Sequence, residues 1–187
     1  MYGAPMLVYR RLWPTDSTAY ADHLARLTPE QRYYRFGGYV DEGYLSGKTK
    51  NIDWFRCITF GCFVDGVLRG AVFVIRGHNG WIDEAELAIT VEAEFEGRGI
   101  GTGLMRRVVT LARNRGVRRV TLFCLSDNRR LLALAHKFDP KMQLDHGEAE
   151  LTVDLGLPDQ MSYAEEAFGL METTVGSFFE QLGAKAA

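Results

Sequence analysis

The chain has no run of apolar residues long enough to span a bilayer, and no basic N-terminal segment leading into an apolar core. A membrane anchor and a secretory leader are therefore not expected. It also lacks a surplus of either charge. With 22 Lys and Arg against 24 Asp and Glu, the formal net charge is −2, which gives no general pull towards nucleic acid or an anionic membrane. Cysteine is scarce. Cys57, Cys62 and Cys124 sit singly in apolar, strand-like runs, without metal spacing and in an odd number. They read as reduced core thiols, which suits the cytoplasm, and no metal site is expected. What is present is apolar character, at 47% of 187 residues, enough for one domain with a sizeable core and a short appendage.

The stretch from Ala85 to Gly103 organises the rest. Ala85 to Glu92 alternates like a strand, and glycine then stands at 97, 99, 101 and 103. From Leu104 an apolar periodicity of helical spacing takes over, with Val108 and Leu111. A strand feeding a glycine turn at a helix N-terminus makes an anion site. The first helical N–H groups have no intrahelical partner, and glycine admits both positive φ and close approach of a ligand. Arg98 adds a charge and Thr102 a hydroxyl, so Glu96 to Gly103 reads as a cradle for a pyrophosphate. The lysine of a P-loop is missing, because Thr102 follows Gly101 directly. The dinucleotide spacing G-x-G-x-x-G is missing too: Gly97 and Gly99 are followed by Thr102, and Gly99 and Gly101 by Leu104.

Around this stretch the elements come in a definite order. Met6 to Arg11 reads as a strand, followed by a helix capped by Asp16 and running to Leu27 with Tyr20, Leu24 and Leu27 on one face. Thr28 and Pro29 start a second helix that ends at Gly37-Gly38. Gly37 to Asn51 reads as a loop beside a site. Phe55–Val64, Val67–Arg76 and Trp81–Glu92 read as an antiparallel meander with turns at Asp65-Gly66 and Asn79-Gly80. The helix of the glycine turn runs to Arg115. A strand at Arg118–Leu125 follows, then a helix capped by Ser126 or Asp127 and ended by Pro140. Strands at Lys141–Leu144 and Glu148–Leu155 close the order around His146-Gly147. After Pro158 the tail carries a capping box, Ser162-x-x-Glu165, and an a/d stripe of Met161, Ala164, Phe168, Met171, Val175, Phe178 and Leu182. The expected division is a domain over 1–157 and a helical tail over 158–187, packed on the domain or at a homodimer interface.

The run Arg98-Gly99-Ile100-Gly101-Thr102 resembles the pattern [Q/R]-x-x-G-x-[G/A] of the GNAT superfamily of acyl-CoA-dependent N-acyltransferases, with Glu96 standing where the family has Gln or Arg. The resemblance implies an α/β (α+β) fold. Its sheet is mixed, mostly antiparallel and six- to seven-stranded, with a central parallel pair splayed apart, helices on both faces and here an added C-terminal helix. It also implies acetyl-CoA as co-substrate. On this reading Gly97, Arg98, Gly99, Ile100, Gly101, Thr102 and Gly103 hold the pyrophosphate, and the backbone of Ile89, Thr90 and Val91 holds the pantetheine. The N–H of Val91 polarises the thioester carbonyl, and Asn128 sits beside the pantetheine arm or caps its helix. The family's tyrosine seven residues beyond that asparagine is Ala135 here, and the glycine after it is Asp139; His136 reads as a surface residue. Ala85-Glu86-Leu87-Ala88 resembles the glutamate-bearing strand of lysine acetyltransferases, which implies that Glu86 is the general base, with Asp83 and Glu84 as alternates. One or two of the many arginines around the cofactor helix are expected to meet the 3′-phosphate of CoA. Leu27-Thr28-Pro29-Glu30 leading to Arg35-Phe36 resembles, more weakly, the bacterial protein-acetyltransferase branch. Together these imply acetyl transfer to a primary amine, a protein lysine or a small molecule, by direct attack in a ternary complex. The alternative is an acyl-CoA-binding sensor without turnover.

Overall fold

A computed structural model of the chain describes residues 6–50, 52–54, 56–76 and 84–169. Asp83 lies outside these residues, as do the turn at Asn79-Gly80 and the stripe positions Met171, Val175, Phe178 and Leu182. Seven strands form one sheet: β1 (Leu7–Arg11), β2 (Cys57–Val64), β3 (Val67–Arg76), β4 (Glu84–Val91), β5 (Arg119–Leu125), β6 (Lys141–Asp145) and β7 (Glu148–Asp154), in the spatial order β1-β2-β3-β4-β5-β7-β6. All neighbours are antiparallel except β4 and β5. The helices are α1 (Ser17–Arg26), α2 (Pro29–Phe36), α3 (Glu42–Lys50), α4 (Ile100–Asn114) and α5 (Arg129–Ala135), and a further helix is described over 160–169.

The parallel pair is short. Glu84–Glu86 lie opposite Arg119–Thr121, and there the ladder stops. Beyond it β4 stays with β3 as far as Val91, opposite Gly70, while β5 stays with β7 as far as Leu125, opposite Glu148. The two central strands therefore splay apart, as expected. Two cores flank the sheet. On one side α4 buries Ile100, Leu104, Met105, Val108, Leu111 and Ala112 against Val72, Val74, Leu87, Val120 and Leu122. On the other, Tyr20 and Leu24 of α1 join Val8, Phe63, Leu68 and Phe73. All eight residues of β2 are buried. The hairpin turn Asp65-Gly66 has φ of +49° and +77°, as a two-residue turn of this hand requires. The three cysteines are free and buried, and burial pushes the Cys57 and Cys62 thiols up to about 11.

Four expectations need correction. Asp16 does not cap α1 with its side chain. Its carboxylate takes two bonds from Arg10, at 2.7 and 2.9 Å, and one from the Trp13 N–H, so it closes a 3₁₀ turn instead. The stretch Gly37–Asn51 is not all loop. Asp41 Oδ1 accepts from the Tyr44 N–H at 2.7 Å and starts α3, which Leu45 anchors in the core. The helix after β5 is capped by Asn128, whose Oδ1 accepts from the Leu131 N–H at 3.1 Å, and not by Ser126 or Asp127. The tail's capping box sits three residues early. Asp159 Oδ1 accepts from the Ser162 N–H at 2.7 Å, and Ser162 Oγ accepts from the Asp159 N–H at 3.0 Å. Ser162 and Glu166 meet Asn114 of α4 and Arg115 at its C-cap through hydrogen bonds and an ion pair. Met161 and Phe168 of the stripe, at 69% and 68% exposure, face solvent.

Candidate active site

A cleft of about 660 Å³ opens where β4 and β5 part, in the range of small-molecule sites. It is lined by β4 from Glu86 to Val91, by the glycine turn, by Phe123–Leu125 of β5, by Asn128 and Leu131 of α5, and by Gln31, Tyr34 and Arg35 of α2.

Its backbone chemistry follows from strand register. The Glu92 N–H donates to the Arg69 carbonyl at 2.9 Å, so Glu92 and Arg69 are a hydrogen-bonded antiparallel pair. Residues two apart share a direction, so the N–H and C=O groups of Thr90, Ala88 and Glu86 also point to β3. Those of Leu87, Ile89 and Val91 point the other way, towards β5, beyond the end of the parallel ladder at Glu86. The Val91 carbonyl accepts from Gln31 Nε2 at 2.8 Å. Among the described residues, the Ile89 groups and the Val91 N–H on this edge lie beyond the β5 ladder and face the cleft. Side chains alternate likewise. Ala85 and Leu87 are buried and Ile89 and Val91 pack against the α4 core, whereas Glu86, Ala88 and Thr90 lie on the α1–α2 face.

At the glycine turn, Gly97 and Gly99 have φ of +72° and +82°, and a Cβ at either would meet nothing within 4 Å. Glycine is needed here for conformation, and the space around it is open. Gly99 is the N-cap of α4 and no side chain caps the helix, which leaves the first N–H groups of α4 to an outside acceptor. The rest of the run divides. Gly101 faces α5, where a Cβ would stand 3.2 Å from Leu134 Cδ2, and it lines the cleft. Gly103 does not line it: a Cβ there would lie 2.6 Å from Tyr9 Oη, so this glycine makes room for the Tyr9 ring. Ile100 is 1% exposed with its side chain in the core. Arg98 stacks over the Phe95 ring, 5.1 Å away. Thr102 Oγ1 accepts from Lys137 Nζ at 3.1 Å, which places a cation beside the turn.

Glu96, the departure from the family pattern, is neutralised where it stands. Arg130 forms an ion pair with it at 3.1 Å, and Gln31 Nε2 donates to it at 2.7 Å. Asn128 lines the cleft while its Oδ1 caps α5. Ala135 is fully buried in the α4-side core, and His136 is exposed.

Of the three carboxylates considered as a base, Glu86 lines the cleft, Glu84 is bound by Arg119, and Asp83 lies outside the described residues. Glu86 is exposed and forms no hydrogen bond or ion pair among the described residues. Leu87 and Ile89 do not bury it, because their side chains point to the opposite face.

Sequence reading missed the charged cluster behind the cleft. Glu92, 5% exposed, accepts from His23 Nδ1 at 3.0 Å, Arg26 Nε at 2.9 Å and Arg69 Nη1 at 2.8 Å. His23 is fully buried, and its Nε2 lies 2.9 Å from Thr90 Oγ1. Burial pushes the Glu92 carboxyl up, but the bonds from His23, Arg69 and Arg26 outweigh it and hold the pKa down at about 2. Burial lowers the pKa of His23; its bond to Glu92 opposes this, and Arg26 and Arg69 add to it. The available signal was His23 itself, three residues after Tyr20 on the apolar face of α1. Among the described residues no group of three or more His, Cys, Asp or Glu could hold a metal ion. Nor is any helix among them long and apolar enough to cross a membrane.

Comparison with known proteins agrees with this geometry. A 62-residue stretch is 42% identical to the acetyltransferase Pat of Mycolicibacterium smegmatis, covering 33% of this chain and 18% of that protein. The chain spans under two thirds of the length of the curated relatives it matches. Among solved structures, the GNAT domain of S. lividans PAT superposes with a TM-score of 0.68 at 22% identity, over 82% of this chain and 99% of that one. Salmonella typhimurium yncA, solved with its cofactor acetyl-CoA, gives a TM-score of 0.61 at 16% identity, over 83% and 99%. At these identities the structures establish the fold. The acetyltransferase (GNAT) family model matches residues 18–139, well over half of the chain, and the chain belongs to that family, whose members use acetyl-CoA as co-substrate.

Proposed function

We propose that this chain is an N-acetyltransferase that moves the acetyl group of acetyl-CoA to a primary amine by direct attack in a ternary complex. One observation carries the reading. The unpartnered edge of β4 at Ile89 and Val91 runs in a single cleft from the uncapped start of α4 to the carboxylate of Glu86. The N–H groups at the glycine turn, from Gly97 to Thr102, suit a pyrophosphate, with Lys137 close by; the Arg98 side chain stacks on Phe95 and is not among the residues that line the cleft. Ile89 and Val91 offer amide groups to the pantetheine arm, and the Val91 N–H suits a polarised thioester carbonyl. Glu86 takes the proton of the attacking amine. No nucleophilic side chain is required, and Cys124, which lines the cleft, is held as a thiol because burial raises its pKa.

The acceptor is a protein lysine or a small amine; the segment from Leu27 to Phe36 favours lysine. The deciding experiment follows thiol release from acetyl-CoA with lysine peptides and polyamines. Turnover with one class names the acceptor. Tight acetyl-CoA binding with no turnover on either would replace the enzyme by an acyl-CoA sensor. We also propose that the chain works in the cytoplasm as a homodimer joined through the tail. The support is the exposed apolar side chains of Met161, Tyr163 and Phe168. A monomer by light scattering, both intact and truncated after Leu157, would remove the dimer.

A further inference from the structure

The charged cluster behind the cleft determines which way the Thr90 hydroxyl points. Glu92 is ionised, and an ionised carboxylate only accepts hydrogen bonds. The His23 nitrogen facing it, Nδ1 at 3.0 Å from Oε1, must therefore carry the proton. His23 is fully buried and flanked by Arg26 and Arg69, whose charges are shared with the single carboxylate of Glu92. A second proton on the ring would add another charge to a site already holding two guanidiniums, so the imidazole is neutral and Nε2 is bare. Thr90 Oγ1, 2.9 Å from Nε2, must then be the donor. A hydroxyl has one hydrogen. With that hydrogen turned inward to His23, Thr90 shows the cleft only lone pairs.

We propose that Thr90 Oγ1 is a fixed hydrogen-bond acceptor for an amide N–H of the pantetheine arm, its polarity set from beneath by His23 and Glu92. The inference rests on reading the cleft as the acetyl-CoA site. Three features place it there. Thr90 lines the cleft. It lies between Ile89 and Val91, whose backbone groups face the gap. Its own backbone groups are spent on β3, so the side chain is what it has left to offer. Pantetheine carries two amides, each with a donor and an acceptor. A β-strand edge on one side and an oriented hydroxyl on the other would satisfy an N–H that entered the gap. A ligand carbonyl at the same point would meet lone pairs and be repelled. His23 and Glu92 act as positioning residues, since neither reaches the cleft except through Thr90.

The test compares two ligands on the full chain by calorimetry: CoA, and adenosine 3′-phosphate 5′-diphosphate, which lacks the pantetheine arm. Thr90→Val keeps the shape and removes the acceptor. CoA should bind roughly 10-fold more weakly while the nucleotide binds as before. Thr90→Ser should restore CoA binding. Unchanged CoA affinity in Thr90→Val overturns the proposal, as does an equal loss for both ligands, which would mean a general disturbance. A second measurement needs no variant. ¹⁵N NMR of wild-type His23 should report a neutral ring protonated at Nδ1, and an Nε2–H tautomer or an imidazolium at neutral pH overturns the assigned polarity. If wild-type chain binds neither CoA nor the nucleotide, the reading of the site fails, and this inference with it.

Discussion

At its C-terminal end β4 runs into a region where the two inward carboxylates, Glu92 and Glu96, are held, while Glu94 between them is exposed. Glu92 has three donors and Glu96 has two partners, and the ligand-facing groups are mostly backbone. At its N-terminal end the same strand offers Glu86, exposed and without a hydrogen bond or ion pair among the described residues. The contrast fits two tasks. Holding a donor molecule of fixed shape rewards rigid amides whose position folding itself determines. Handling an amine that must arrive, lose a proton and leave as an amide rewards a side chain with freedom to move. On the proposed function, the end that would hold the donor is the rigid one, and the end that would meet the acceptor carries the unheld carboxylate.

The sharpest way to break this contrast is to remove the carboxylate. An alkyl amine titrates near ~10.4, so at neutral pH it arrives as ammonium and cannot attack. Glu86→Gln should lower kcat on a true acceptor by on the order of 10²–10⁴-fold and leave acetyl-CoA affinity nearly unchanged. The residual rate should climb with pH towards the pKa of the amine. A variant with wild-type kcat and pH profile would move the base elsewhere, with Glu84 next to be tested.

The pinned end should respond in stability instead. Glu92→Gln keeps shape but leaves Arg26 and Arg69 behind a buried neutral amide. Losing one partner of a buried charge cluster costs 3–5 kcal/mol, and we expect about 3 kcal/mol because both guanidiniums keep a route to solvent. Urea denaturation reads this directly. A loss below about 1 kcal/mol, typical of surface pairs, would show that the cluster does not tie α1 to β4.

The glycine run can be divided by two substitutions. Gly101→Asp puts a carboxylate beside the expected pyrophosphate and should weaken CoA binding by on the order of 10²-fold. Gly103→Ala instead drives a methyl group into Tyr9, 2.6 Å away, and should cost about 1–3 kcal/mol of stability with CoA affinity unchanged. If the two variants lose CoA equally, the division of the run between ligand and packing is wrong.

The same contrast explains what sequence reading reached. The strand order and the glycine turn were legible because each rests on backbone rules: alternation, turn glycines and an uncapped helix start; the splay was implied by the family resemblance. Gly103 was misplaced because a glycine required by a ligand and one required by a neighbouring ring leave the same letter; only the approach of Tyr9 separates them. Helix α3 was missed because Gly43 and Gly47 dilute its pattern and one buried leucine, Leu45, anchors it. The tail's register slipped because Asp159 and Ser162 compete with Ser162 and Glu165 for the same capping role. The Glu92 cluster was invisible for another reason. Its members are contributed by α1, β3 and the residue that follows β4, and nothing in the local sequence of any one of them announces the others.

The smallest expected effect concerns acid. Around His23 lie Glu92, Arg26, Arg69, Thr90 and Tyr20. Because burial and the two arginines hold its folded pKa below the ordinary 6.5, the unfolded chain binds this proton first as pH falls. His23 therefore contributes stability that is present above about pH 6.5 and is lost as pH drops through its folded pKa. Glu92 has the same sign in a lower window. Its contribution is complete above its ordinary 4.5 and is lost towards about 2. Between pH 7 and 5 the imidazole is thus the member of the cluster that gains a proton on unfolding. The melting temperature should fall modestly over that range in the wild-type chain. His23→Gln, less stable at neutral pH, should show a flatter dependence, since the buried proton acceptor is gone. Parallel profiles for the two proteins would mean that the acid sensitivity arises outside this cluster.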